Sequence, residues 1–433
     1  MLLADLRARE ARGEPIRVAL LGCGAMGVGI AWQLARTPGM ELVAIADLRQ
    51  QAVGAAAAAY GGPVARVAPG GAAPAAGTLW ASQAPDWLAD LEFPIDVLVE
   101  ATNTIGFAGA SCLQAIERGM HVVLMNAEVD LLLGPLLHQR AAARGVVVGS
   151  DAGDQHGVLL RMHEEMQLWG FELAMAGNIK GFLDRYATAE GLVAEARKRQ
   201  LDPLQCCAYT DGTKLGIEMA LVANATGAVP AVPGMHGPRA AHVTEVFDRF
   251  DFDALPAGGV VDYLLGAEPG GGVFLVGRCE DPLQLRYLQY YKVQARGPFH
   301  LLYRPYHLCH LETPRAIALA VVHGQAVLAP DHGRVADVYA VAKRELRAGE
   351  SVAEGIGGSA FYGRIERCAE ADAAGHVPIA LLEPEGAAKA LLHSDLARDQ
   401  ALTAADVALP ASTASRLFAE QSAWLAAAAP RRR

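Results

Sequence analysis

Short apolar runs alternate with helical patterns through the first third of the chain. Ile16 to Leu21 is such a run, and it leads directly into Gly22-Cys23-Gly24-Ala25-Met26-Gly27 and then a helix. A second apolar run, Leu42 to Ala46, ends at Asp47, and further strands are predicted at Ile95–Glu100, His121–Leu124 and Val146–Val148. Helical stretches at Gly109–Arg118 and Leu131–Arg144 separate them, so the alternation predicts a parallel, doubly wound sheet. The first 14 residues read as a lead-in helix with Leu2, Leu3 and Leu6 on one face, packing on a neighbouring domain or subunit. An alanine-rich helix follows Asp47. The stretch after it, VARVAPGGAAPAAG, has no periodicity and reads as a surface loop.

From Ser150 the pattern changes. Asp151–Gly170 reads as a helix, Phe171–Gly177 as a strand and Asp211–Ala225 as a helix, with strands near Val260–Leu265, Val273–Cys279 and Phe299–Tyr303. This is the pattern of an α+β substrate domain over 151–309. His310–Val322 is an apolar helix that returns to the first domain, residues 1–150. A third region, 331–433, contains an approximate repeat: Lys343 to Glu350 and His393 to Gln400 each place a leucine, Leu346 or Leu396, before a tight turn. Two copies predict a small β-rich module, and the last 24 residues read as an alanine-rich helix with a basic end.

Strand, glycine turn, helix, strand and acid in that order carry a specific chemistry. Gly22 permits the tight turn, Gly24 lets backbone approach a pyrophosphate, and Gly27 lets the helix pack on the strand, while the N–H groups of Ala25 and Met26 at the helix start face the anion. Asp47 lies 20 residues past Gly27, where an acid meets ribose hydroxyls. Alone it favours NAD, since a carboxylate repels a 2′-phosphate. Arg49, two residues on, is placed to receive that phosphate in NADP. Ligands of such sheets sit at the carboxyl ends of strands, so Thr102, Asn103, Asn126 and Glu128 are expected to border the cofactor.

Composition narrows the class. The 433 residues are 52% hydrophobic and 19% charged, as in a globular protein of two or three domains. A net charge of −10, with no basic stripe beyond Arg431 to Arg433, argues against nucleic acid as a partner. The amino terminus lacks an apolar signal core and no apolar run is long enough to span a membrane, so a cytoplasmic protein is expected. Seven cysteines show no CxxC spacing and read as core residues.

Outside the glycine turn the most informative segment is Asp211 to Gly227. On a helix Asp211, Lys214 and Glu218 share one face, amid Leu215, Ile217, Met219 and Leu221. Buried charges cost several kcal/mol unless paired, so three on one buried helix point to use, a structural ion network being the alternative. Lys180 follows Asn178 between Gly177 and Gly181, where backbone can approach a ligand and an ammonium can meet an anion. Arg304, Tyr306 and His307 precede the return helix and are placed to reach substrate. His307 and His310 lack HExxH spacing or a carboxylate cluster and read as core histidines, so no metal site is assigned.

These segments together resemble homoserine-dehydrogenase-like oxidoreductases that end in a SAF-type module, the group that includes the 1-deoxy-xylulose-5-phosphate-reductoisomerase-like enzymes. The resemblance runs through REARGEPIRVALLGCGAMG, HVVLMNAEVDLLLGPLL, AGNIKGF, DGTKLGIEMALVANATG, LLYRPYHL and AKRELRAGE. It implies a Rossmann-type domain, a nicotinamide cofactor, usually NADPH, a small-molecule substrate and a homo-oligomer. It also implies reduction of a carbonyl, in some members after isomerisation of a sugar-like phosphate, with a divalent metal common among reductoisomerases. Homoserine dehydrogenase carries Asn-Lys after the fifth strand, whereas Asn126 here precedes Ala127 and Glu128, which argues against homoserine. The Glu-Lys-Pro of Gfo/Idh/MocA sugar dehydrogenases is absent as well. Lys214 is then expected to polarise the substrate oxygen and give the proton, with Asp211 orienting it and Glu218 supporting. Lys180 would hold a phosphate or carboxylate, and Asn178, Arg304 and His307 would contact substrate. The alternatives are alcohol oxidation by the same residues and a non-catalytic dinucleotide-binding regulator.

Overall fold

Unalternating apolar runs fold as strands buried on both faces, and β1 (Ile16–Leu21) sits accordingly inside a seven-stranded sheet. The computed structural model describes residues 1–66, 78–89, 91, 93–199 and 201–428. They form two units. One gathers 1–154, 308–329 and the chain from Leu417 on; the other gathers 155–307 and 330–416.

The first unit contains α1 (Leu2–Arg12), β1, α2 (Ala25–Leu34), β2 (Met40–Ala46), α3 (Gln50–Tyr60), β3 (Val64–Arg66), β4 (Leu79–Ser82) and β5 (Val97–Glu100). It continues with α4 (Gly106–Glu117), β6 (His121–Leu124), α5 (Ala127–Arg144) and β7 (Val148–Ser150). The order β3-β4-β2-β1-β5-β6-β7 is parallel throughout and reverses at β1, the Rossmann-type arrangement expected. Of α1's apolar face Leu6 is buried, whereas Leu3 is half exposed. The expected loop after α3 begins with β3, which pairs with β4; the rest of that stretch, 67–77, lies outside the described residues, as does the basic end. β7 lies two residues later than expected. α5 starts four residues earlier than expected because Asn126 caps it, its Oδ1 accepting from Val129 N at 3.2 Å.

Pro135 interrupts the hydrogen-bond ladder of α5, and Gln421 repairs it. Its Oε1 accepts from Leu136 N at 2.9 Å and its Nε2 donates to Leu132 O at 2.8 Å, bridging the helix gap from the C-terminal helix Thr413–Ala428. The helix Cys309–Ala318 packs on α2, as the expected return helix does: a Cβ at Gly29 would lie 2.6 Å from the ring of His310. His310 is a packing residue whose pKa burial lowers.

The second unit is built on α6 (Gln155–Leu168), β8 (Glu172–Lys180), α7 (Val193–Arg199), α8 (Pro203–Thr210) and α9 (Thr213–Thr226). Strands β9 (Val229–Pro230), β10 (Val260–Leu265), β11 (Val273–Arg278), β12 (Ala295–Arg296) and β13 (Phe299–Arg304) complete a mixed sheet of order β12-β13-β11-β8-β10-β9. Met175, Ile179, Val260, Leu264, Phe274 and Val276 form a core on one face. α6 and α9 pack against β8. α6 begins at Gln155 rather than Asp151, because the Asp151 carboxylate accepts from Gly153 N at 2.7 Å and turns the chain first.

The β-rich region follows, with β14 (Ala336–Ala342), β15 (Ser351–Val352), β16 (Phe361–Arg367), β17 (Ala390–Leu392) and β18 (Val407–Ala408). Its repeat is a structural one. Leu346 and Leu396 exchange both backbone bonds, at 2.9 and 3.0 Å, and the flanking bonds match pairwise. Gly349 N donates to Leu392 O as Asp399 N donates to Ala342 O, and Leu392 N to Glu350 O as Ala342 N to Gln400 O. The sequence sets 331–433 apart as one module, but 330–416 groups with 155–307, and the chain from Leu417 on groups with the first unit.

Asp211 departs from its expected role. It lies before α9, as the C-cap of α8, and both of its oxygens are engaged. Oδ1 accepts from Thr213 N at 2.9 Å, and Oδ2 pairs with Lys343 Nζ at 2.8 Å. Lys343 also donates to Ala187 O and Gly358 O, each at 2.8 Å, with both charged side chains almost wholly buried. The carboxylate's ion pair is thus with Lys343, where the sequence reading had it orient Lys214. Lys343→Met strands that buried charge and is expected to lower stability by about 3–5 kcal/mol in urea unfolding, with much of the loss recovered in Lys343→Met/Asp211→Asn. Equal stability of Lys343→Met and wild type would count against the pair.

Candidate active site

In the first unit the glycine turn and the ends of β2 and β5 converge. Gly22 has φ +93°, and a Cβ there would fall 2.6 Å from the Ala101 carbonyl, so only glycine fits. A Cβ on Gly27 would run into the Gly22 carbonyl, which fixes the start of α2 against the turn. Gly24 differs, because a Cβ there meets nothing nearer than Arg49 Nη2 at 3.8 Å and leaves open space. α2 has no side-chain cap, so the N–H groups at Ala25 and Met26 are left for an anion. Asp47 Oδ2 accepts from Cys23 N at 2.9 Å and its Oδ1 pairs with Arg49 Nε at 3.2 Å. Burial raises its pKa, but hydrogen bonds from Arg49 and Cys23 outweigh that and keep the carboxyl below its ordinary value.

The segment after β5 is fixed by a group that the sequence reading passed over. Glu100, wholly buried, accepts from Thr102 N at 2.8 Å, Thr102 and Thr104 share their hydroxyls at 3.1 Å, and Asn126 Nδ2 donates to Thr104 O at 2.7 Å. Thr102 and Asn126 are thus brought together. Asn103 stands exposed beside them, and Glu128 lies in the first turn of α5. Burial pushes Glu100 up to about 7, Asp130 in α5 up to about 6 and Asp151 after β7 up to about 7. Raised in this way, these carboxyls carry less negative charge near neutral pH than ordinary ones would. They leave no sequence signal, since acids at strand ends are ordinary.

In the second unit a polar chain runs across the α6–α9 face of the sheet. His307 Nδ1 donates to Gly271 O at 2.7 Å, which leaves Nε2 as its acceptor, and Gln155 Nε2 reaches the same carbonyl at 3.5 Å. Asn178 Nδ2 donates to Gln155 Oε1 and to Glu218 Oε2, the latter at 3.1 Å. Asn178 is fully buried, and its Oδ1 has no hydrogen-bond partner among the described residues. Lys214, 7% exposed, lies one turn before Glu218 on α9. Lys180 is half-buried at the end of β8, 5.9 Å from the Tyr209 ring, and Arg304 stacks over Tyr306 at 4.8 Å. Asn178, Glu218 and His307 are thereby joined. Gln155 was missed, because a single glutamine carries no pattern.

Residues 153–313 match the family model described as Oxidoreductase DRL, catalytic domain. That segment holds Asn178, Lys180, Lys214, Glu218, Arg304 and His307. Among solved structures, a myo-inositol dehydrogenase from Corynebacterium glutamicum ATCC 13032 is similar at 13% identity and TM-score 0.40, over 72% of this chain and 90% of that one. A myo-inositol 2-dehydrogenase from Lactobacillus plantarum gives 12% and 0.40, over 72% and 91%. The 3-ketoreductase KijD10 from Actinomadura kijaniata, in complex with NADP and TDP-benzene, gives 15% and 0.38, again over 72% and 91%. No curated protein matches the chain. Among the described residues no helix is long and apolar enough to cross a membrane.

The raised carboxyls make stability depend on pH. Their folded pKa exceeds the unfolded one, so the stability they lend is complete below the unfolded values of 4.5 and 3.8 and is lost as pH rises through about 6 to 7. Glu100→Gln keeps the acceptor for Thr102 N and removes the ionisation. Thermal melts are expected to flatten between about pH 5 and pH 8, with a gain of up to about 3 kcal/mol at the upper end; a slope as steep as wild type would refute the assignment. For the turn, the Cβ of Gly24→Val meets only the flexible Arg49 side chain, at an ordinary contact distance, so the variant is expected to fold normally, yet to weaken dinucleotide binding at least about tenfold, or about 1.4 kcal/mol, in a fluorescence titration. Unchanged affinity would remove the turn from the binding site.

Proposed function

We propose that this chain is an NAD(P)H-dependent oxidoreductase that reduces the carbonyl of a small, polar, sugar-like substrate bearing a phosphate or nucleotide-linked anion. The observation that carries the reading is the glycine turn of the first unit, with the uncapped α2, the open side of Gly24 and Asp47 bonded to Cys23 N. These residues fit a dinucleotide: the α2 N–H groups for pyrophosphate, Asp47 for the ribose and Arg49 for a 2′-phosphate. The oxidoreductase match over 153–313 supports the same reading for the second unit. Isomerisation before reduction is the form that the reductoisomerase resemblance suggests, and the same residues serve alcohol oxidation in reverse.

The bound nicotinamide supplies the hydride. Lys214 polarises the substrate oxygen and delivers the proton, from a buried position where an ammonium acts strongly. Glu218, bonded to Asn178, offsets the positive charge one helical turn away. Lys180 takes the anionic end of the substrate, while Asn178 Oδ1, His307 Nε2 and Arg304 meet its hydroxyls and carbonyl.

Oxidation of NADPH and NADH against a panel of phosphorylated and nucleotide-linked sugars tests the reading. Turnover with one class is the expected result; dinucleotide binding without turnover on any member favours a regulator. Lys214→Met retains a long unbranched side chain, so folding and dinucleotide affinity are expected to survive while turnover falls about a hundredfold to a thousandfold. An early melt with near-normal turnover per folded molecule would make Lys214 structural.

A further inference from the structure

The loop after β8, residues 181–187, carries Arg185 and begins beside Lys180, and it is tied down at three points within the second unit. Asp184 N donates to Thr210 O at 2.8 Å. Ala187 O accepts from Lys343 Nζ at 2.8 Å. The Tyr186 hydroxyl donates to Asp399, 2.9 and 3.0 Å from its two oxygens, and Oδ1 also accepts from the Tyr362 hydroxyl at 3.2 Å. Arg398 stacks on the Tyr186 ring, 3.7 Å from its centroid.

Two of these ties come from the two copies of the repeat. Lys343 lies three residues before Leu346 and Asp399 three residues after Leu396, and Asp399 N bonds to Ala342 O beside Lys343. The copies differ where it matters. At the left-handed position of the turn the first has Gly349, φ +86°, and the second has Asp399, φ +65°, a strained conformation for a residue with a side chain. Where the first copy has no side chain, the second has a carboxylate, and that carboxylate holds Tyr186. Within the held loop, the Arg185 guanidinium is close enough to the Tyr263 hydroxyl to act on it electrostatically, and Tyr263 pairs with Asn178 across β10 and β8 and so projects from the same face of the sheet.

We propose that the repeat pair is a clamp for loop 181–187, with Asp399 as a positioning residue that sets Arg185 and Lys180 to receive the anionic end of the substrate. The proposal rests on the oxidoreductase reading for the identity of the ligand, and not for the clamp. It gives the C-terminal region a task in recognition: neither repeat touches the ligand, and both fix what does.

Asp399→Gly is the informative variant, because glycine relieves the strained turn while removing the clamp, so folding is preserved. Hydrogen exchange of the full chain and calorimetric titration with inorganic phosphate, a stand-in for the anionic end, give two readouts. Exchange in 181–187 is expected to rise at least about tenfold with the melting temperature held, and phosphate affinity to fall about threefold to tenfold, a loss of about 0.7–1.4 kcal/mol. Tyr186→Phe should do the same, and the double variant no more than either single one. Lys180→Ala should weaken phosphate without loosening the loop. Unchanged exchange in Asp399→Gly overturns the clamp, and faster exchange with unchanged phosphate affinity overturns its role in positioning. Absence of turnover on the sugar panel overturns the oxidoreductase reading instead and leaves both readouts interpretable.

Discussion

Two opposite charges taken out of water dominate the second unit. An ammonium without partners cannot be kept in such surroundings, and Lys343 is tolerated because Asp211 and the carbonyls of Ala187 and Gly358 replace its hydration shell. Satisfying one charge therefore fixes the α8–α9 junction, the loop after β8, the end of β14 and the segment before β16 relative to one another. Segments far apart in sequence are held by a single atom. A hydrophobic contact in the same place would fill the space but would not specify which carbonyl lies where.

The first unit relies on the reverse device, the absence of side chains. Gly22 against the Ala101 carbonyl and Gly27 against the Gly22 carbonyl bring three backbone segments closer than any Cβ allows. The surroundings are otherwise apolar, and burial there raises the pKa of the acids left at the strand ends. Glu100 still fixes Thr102 through a hydrogen bond and so orders the segment after β5.

What was legible in the sequence was local. The β1–turn–α2 unit and Asp47 stand within 32 residues of one another, and their order alone gives the fold of the first unit. Lys214 and Glu218 were singled out because charges on an apolar helix stand out, and both are buried on α9. Asp211 misled for the same reason: its helical spacing to Lys214 is real arithmetic, but the helix begins two residues later and the partner is Lys343. The repeat was visible as two leucines before turns, whereas their mutual pairing depends on chain reversal that spacing does not encode. Gln155 and Glu100 act through tertiary neighbours and have no local signature.

Gln421 has a consequence for biosynthesis. Leu132 O and Leu136 N in α5 are satisfied by a side chain made 285 residues after Leu136. At about 5–20 residues per second, a ribosome needs roughly 15–60 s to cover that distance. Over that interval α5, wherever it forms, lacks the side chain that bridges it beside Pro135, and all of the second unit's chain is synthesised before Leu417. The unit that begins first is thus completed last, and a ribosome that stops short of Gln421 leaves the chain of the second unit whole and α5 of the first without its bridge.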